Sequence, residues 1–214
     1  MERLCLDEVR FSESTSASRS IVYSLFSLLM SSPHDINQKD KLIDIQTLPL
    51  PFDFDLESTI NEFCAEEQST LKTQYSALFE VGDNGPPASI REDLFMMQPA
   101  KLREDLVRFY EYFGYQLNDE FQWQMDHLSI QLEFMHFLIV GESQVKKDKL
   151  SFQLGQLDFS KKHLMNWVPK LVKTIKVLSS DDIYSKIGIK LESFLNHDLQ
   201  WQEETINQKD KSGG

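Results

Sequence analysis

Met125-Asp126-His127-Leu128-Ser129-Ile130-Gln131-Leu132-Glu133-Phe134-Met135 decides the reading of this chain. It lies at the centre of Phe109–Val145, a stretch with no Lys or Arg, nine aromatic residues and six acidic ones: Glu111, Asp119, Glu120, Asp126, Glu133 and Glu142. Burying carboxylates in such a segment is costly unless each finds a partner. They either form hydrogen bonds within the fold or await a positively charged ligand. Phe121, Met125, Leu128, Leu132, Met135 and Ile139 recur at helical spacing, and Ile130, Phe134, Phe137 and Leu138 cover other faces. A helix apolar almost all round is usually central in a bundle. The spacing predicts one from a cap at Asn118 or Asp119 to about Val140, ended by Gly141.

Working outward, Pro99–Phe113 reads as a helix with Leu102, Leu106, Phe109, Tyr110 and Phe113 inward and Gly114 as its stop. Leu56–Cys64, Glu67–Phe79 and Ala17–Met30 are further helices, with a long surface connection over Ser31–Asp55. Val81–Ser89 is a turn-rich loop, because Gly85-Pro86-Pro87 cannot continue a helix. Beyond the centre, Glu142–Lys162 is polar and Lys-rich and reads as a hinge. His163–Leu178 and Ile183–Gln200 are the last helices, and Glu203–Gly214 should fray. The expected fold is all-α, a single helical bundle. Its N-terminal part is 1–142, its hinge 143–162, its C-terminal helices 163–202 and its disordered tail 203–214.

Composition narrows the function. Formal net charge is −12 over 214 residues, which argues against nucleic acid and leaves a basic peptide or protein surface as partner. Cys5 and Cys64 form no CxxC. The N-terminus lacks the order of a signal peptide and no apolar run is long enough to span a bilayer, so a cytoplasmic protein is expected. Glu133-x-x-His136 is half of a di-iron motif with no second copy. There is no nucleophile elbow and no phosphate loop. Asp126 and His127 would point about 100° apart on a helix, too far to act as a facing acid/base pair. Recognition remains: Tyr75, Leu78 and Phe79 with Asp126 and the aromatic segment would make a peptide groove.

Four blocks then resemble the TorD/DmsD/NarJ family of redox-enzyme maturation chaperones. Gln74-Tyr75-Ser76-Ala77-Leu78-Phe79 with Gly85-Pro86 resembles one block, and Phe109-Tyr110 with Phe113-Gly114 a second. Asp126-His127 leading to Leu132-Glu133-Phe134-Met135 is similar to the family signature, and His163-Leu164 with Trp167-Val168-Pro169 to its C-terminal block. Met125 stands where the signature has Pro, neither Trp123 nor Gln124 supplies its Glu, and Gln131 replaces a later Glu. Glu92 best matches the acidic residue after the Gly-Pro loop.

The resemblance implies an all-α protein with no catalysis, cofactor or metal of its own. Its partner would be a molybdopterin oxidoreductase precursor, the catalytic subunit with its twin-arginine leader. The client-binding residues would be Tyr75, Leu78, Phe79, Gly85, Pro86, Glu92, Asp126, His127 and Gln131. The hinge suggests a monomer with a minor domain-swapped dimer. A helical metalloenzyme and a structural subunit of an oxidoreductase complex are the alternatives from other classes.

Overall fold

The apolar segment is a helix, and it is central. The computed structural model describes residues 13–42, 48–83, 85–95, 99–117 and 124–207. Within them the chain is all-α. The helices are α1 (Glu13–Leu29), α2 (Gln38–Leu42), α3 (Glu57–Ala65), α4 (Gln68–Phe79), α5 (Pro99–Phe113), α6 (Leu128–Gln144), α7 (Lys149–Phe159), α8 (Met165–Leu178) and α9 (Ile183–Asn207). A 3-10 turn covers Glu92–Phe95 and a π-helical turn covers Ser160–Leu164.

α6 buries Leu128, Leu132, Phe134, Met135, Leu138 and Ile139. It packs chiefly on α1 and α7, while α8 packs on α9. Polar stitches fix α1 on α6: Ser27 Oγ donates to the Ser129 carbonyl at 2.8 Å, and His136 Nδ1 lies 2.9 Å from the Ser20 carbonyl oxygen. His136 is thus engaged with α1, while Glu133 is exposed. Among the described residues no group of three His, Cys, Asp or Glu side chains could hold a metal ion. No helix among them is long and apolar enough to cross a membrane.

Several boundaries differ from the sequence expectation: α1 starts at Glu13 and not Ala17, the Ser31–Asp55 connection holds the short α2, and both ends of α6 move. α6 begins at Leu128, not at Asn118 or Asp119, which lie outside the described residues with Glu120 to Trp123. A turn closed by His127 N–H on the Gln124 carbonyl brings Asp126 and His127 against 90–92, and His127, in extended form (φ −69°, ψ 139°), is the N-cap. Gly141 does not stop the helix. A Cβ there would sit 2.3 Å from the Phe152 ring, so the glycine admits the close approach of α7. Gly155 does the same for Phe113.

The Glu142–Lys162 segment contains all of α7 and leaves only 145–148 as a non-helical connection before it. Its lysines are largely on the surface, but Glu142, Gln153 and Gln156 are buried. Gln153 and Gln156 each donate to the Glu142 carboxylate at 2.7 Å. Gln156 also accepts from Arg19 at 3.0 Å, and Arg19 pairs with Asp198, which further accepts from Tyr23 Oη at 2.8 Å. Glu142 therefore has internal partners. The C-terminal helix also runs further than expected, to Asn207, with Thr205 and Ile206 buried; residues 208–214 lie outside the described part.

Candidate functional site

Asp126 answers the question its segment posed: it is fully buried and paired inside the fold. Arg91 donates through Nη2 at 2.8 Å to Oδ1 and through Nε at 3.2 and 3.3 Å to the two oxygens. The Asp93 backbone N–H adds a bond at 3.3 Å. The loop after α4 is positioned to supply Arg91 because it pairs with the residues before α6. Glu92 N–H donates to the Asp126 carbonyl at 3.1 Å, and Leu128 N–H donates to the Ile90 carbonyl at 3.0 Å. Further back, Ala88 N–H returns to the Leu78 carbonyl at 2.8 Å.

Alternation along this extended strip sends neighbours to opposite sides. Glu92 turns inward with no exposure. Gln131 Nε2 donates to its carboxylate, His163 Nδ1 lies 3.1 Å away, and Gln131 Oε1 accepts from Trp167 Nε1 at 3.1 Å. Glu92, Asp126 and Gln131, all expected to contact a client, thus belong to a buried polar seam. It joins the loop between α4 and α5 to α6 and α8, and so ties together two of the four blocks recognised in the sequence. The π-helical turn carries His163 to this seam.

His127 faces the other way. Its Nδ1 accepts from Ser129 N–H at 3.2 Å, which caps α6. Burial pushes its pKa down to about 4; Asp126 opposes this and Arg91 reinforces it. The ring is neutral at physiological pH, and it lines a groove of about 530 Å³.

Tyr75 and Phe79 of α4 form the aromatic side of that groove, with their rings 4.9 Å apart and edge-on. Burial drives the Tyr75 hydroxyl well above its ordinary pKa. Ser27, Ser31, Ser32 and Asp35 come from the end of α1 and the turn after it, Tyr115 from beyond α5, and Glu133 from α6. Among the described residues three carboxylates line the groove, those of Asp35, Glu80 and Glu133. The lining cations are Arg91, clamped on Asp126, and Lys41.

Of the nine expected residues, the structure brings Tyr75, Phe79 and His127 together on the groove. Tyr75, Leu78 and Phe79 are all core residues, 2%, 4% and 4% exposed; Tyr75 and Phe79 also edge the groove, and Leu78 does not. Gly85, at φ +101°, and Pro86 sit in the surface loop and do not line the groove. Glu133 was visible in the sequence as one of six acids, but nothing separated it from Asp126. The contribution of α1 and its following turn had no local signal.

The model of the nitrate reductase delta subunit family matches residues 50–173, more than half of the chain. A selenate reductase assembly chaperone protein from Thauera selenatis is 29% identical over 124 residues, 56% of this chain and 63% of the relative. A chlorate reductase assembly chaperone protein from Ideonella dechloratans is 29% identical over 56% of this chain and 64% of its own length. The chain thus spans just under two thirds of these two relatives. The chaperone protein TorD of Vibrio cholerae is 25% identical over 67% of both chains. The matched region holds α3 to most of α8, and with them the buried seam and two walls of the groove, so the chain belongs to the nitrate reductase delta subunit family.

Proposed function

We propose that this chain is a cytoplasmic chaperone without catalysis of its own. It binds the twin-arginine signal peptide, the apoprotein, or both, of a dimethyl-sulfoxide-reductase-type molybdoenzyme. It assists cofactor insertion and delays export of the client until folding is complete. The observation that carries the reading is the groove beside the signature segment: carboxylates outnumber unclamped cations there, and aromatic rings form one side. A guanidinium pairs with carboxylates through two parallel hydrogen bonds and stacks on aromatic faces. The relatives, which are reductase assembly chaperones, support the same class of partner.

Calorimetric titration of the full chain with a synthetic peptide tests this. The peptide carries an Arg-Arg pair followed by an apolar stretch. Saturable binding, weakened by salt and by replacing the pair with Gln-Gln, is expected. No binding of peptide and none of the unfolded client would sink the reading.

A second reading, a permanent oxidoreductase subunit, is favoured by the description of the matching family. Co-purification with the mature enzyme in fixed stoichiometry would establish it; the chaperone reading expects release once the cofactor is in place. The proposed hinge now rests on residues 145–148, between α6 and α7. Exchange of the C-terminal helices there would give a minor dimer beside a dominant monomer, read by size-exclusion chromatography with light scattering.

A further inference from the structure

Gln131 and Glu133 are two residues apart on α6 and therefore point about 200° apart around the helix. Gln131 serves the buried seam, whereas Glu133 is exposed and lines the groove with Ser129 and Ile130. Burial, and next to it the neighbouring Glu133 carboxylate, push the Tyr115 hydroxyl above its ordinary pKa, so the two groups are neighbours on the groove wall. The Glu133 carboxylate has acceptor positions on both oxygens to offer a ligand. Glu133 forms no ion pair with a Lys or Arg among the described residues. On another wall, Glu80 is tied to α4 by Ser76 Oγ at 2.7 Å and lies 3.7 Å from His34 Nε2. Asp126, the carboxylate that the signature singles out, already holds Arg91 and has no exposed surface.

We propose that Glu133, exposed on the groove wall, is the residue that distinguishes an arginine in the bound segment, and that Asp126 is not. The inference rests on the peptide-binding reading above. An incoming guanidinium meets the free edge of the Glu133 carboxylate and lies against the aromatic side of the groove. Asp126 acts on the same groove only through Arg91 and the backbone strip that sets its wall.

The test uses the full chain and the two synthetic peptides, Arg-Arg and Gln-Gln. Glu133→Gln keeps the size while removing the charge. It should weaken the Arg-Arg peptide about tenfold, in line with loss of a charge-assisted hydrogen bond, and leave the Gln-Gln peptide within about twofold. Tyr115→Phe should weaken the Arg-Arg peptide less than Glu133→Gln does, and Glu133→Asp should recover part of the loss. If wild type prefers Arg-Arg and Glu133→Gln keeps that preference in full, the assignment of Glu133 is overturned while the groove reading stands. Equal weakening of both peptides also overturns it, because Glu133 would then act on packing. If wild type does not distinguish the peptides, the peptide-binding reading falls and this inference with it.

Discussion

Two carboxylate-rich regions lie back to back in this molecule and behave in opposite ways. In the seam, Asp126 and Glu92 have no exposure, and hydrogen bonds from Arg91, Gln131 and His163 surround them. In the groove, Asp35, Glu80 and Glu133 face open space. Neighbours in sequence divide between the two: Asp126 and His127, Glu92 and Arg91, Gln131 and Glu133. A signature motif therefore need not mark a contact surface. Here its most polar residues hold together the wall that its less prominent neighbours line.

The sharpest way to break this contrast is Asp126→Ala. Removing the buried partner of Arg91 should cost about 3 kcal/mol, the low end for a buried pair, because the Arg91 side chain is 25% exposed and keeps Asp93 3.5 Å away. Denaturant unfolding followed by circular dichroism reads that loss. A variant as stable as wild type would move Asp126 from the seam to the groove.

The next effect is on pH. The folded pKa of His127, about 4, lies below the ordinary 6.5. Below pH 6.5 the unfolded chain takes up a proton that the folded chain refuses, so stability falls as pH drops from about 6.5 to about 4. The loss is of the order of 2–3 kcal/mol at its lower end. His127→Asn keeps a helix-capping acceptor and should flatten the decline over that window. An unchanged slope would show that His127 is not the group responsible.

Gly141→Ala probes the packing behind the seam. The added methyl meets the Phe152 ring, and overpacking of this kind costs about 1–3 kcal/mol. A neutral melting temperature would mean that α7 sits more loosely on α6 than described. The smallest expected effect is that of Glu133→Gln on folding, within about 0.5 kcal/mol of wild type, as for a surface site. A larger loss would place Glu133 with the seam.

The sequence made the fold class and several elements legible through apolar spacing. Pro99–Phe113 has its expected ends because a proline starts it and Gly114 at φ +74° stops it. α7 was read as a hinge because Gln153 and Gln156 look solvated until Glu142 and Arg19 are seen across from them. The carboxylates of Phe109–Val145 looked uncompensated within their own window. Arg91, the partner of Asp126, lies 35 residues earlier and Arg19 still further away. Tyr75, Phe79 and His127 were legible as groove residues from aromatic content and resemblance. The α1 wall was not, since packing across about 100 residues of chain brings Ser27 beside Ser129.

Photo-crosslinking tests the central claim, that the open groove and not the buried seam receives the twin-arginine segment. A synthetic Arg-Arg peptide carrying a photoreactive residue next to the pair is irradiated with the full chain, and adducts are mapped by mass spectrometry. The account predicts adducts at groove residues, on Ser31–Ile36, Tyr75–Glu80, Tyr115–Leu117 and Ser129–Glu133, with competition by unlabelled Arg-Arg peptide and less by Gln-Gln. Competed adducts confined to the α5–α7 face, around Tyr112 and Leu154, would contradict it.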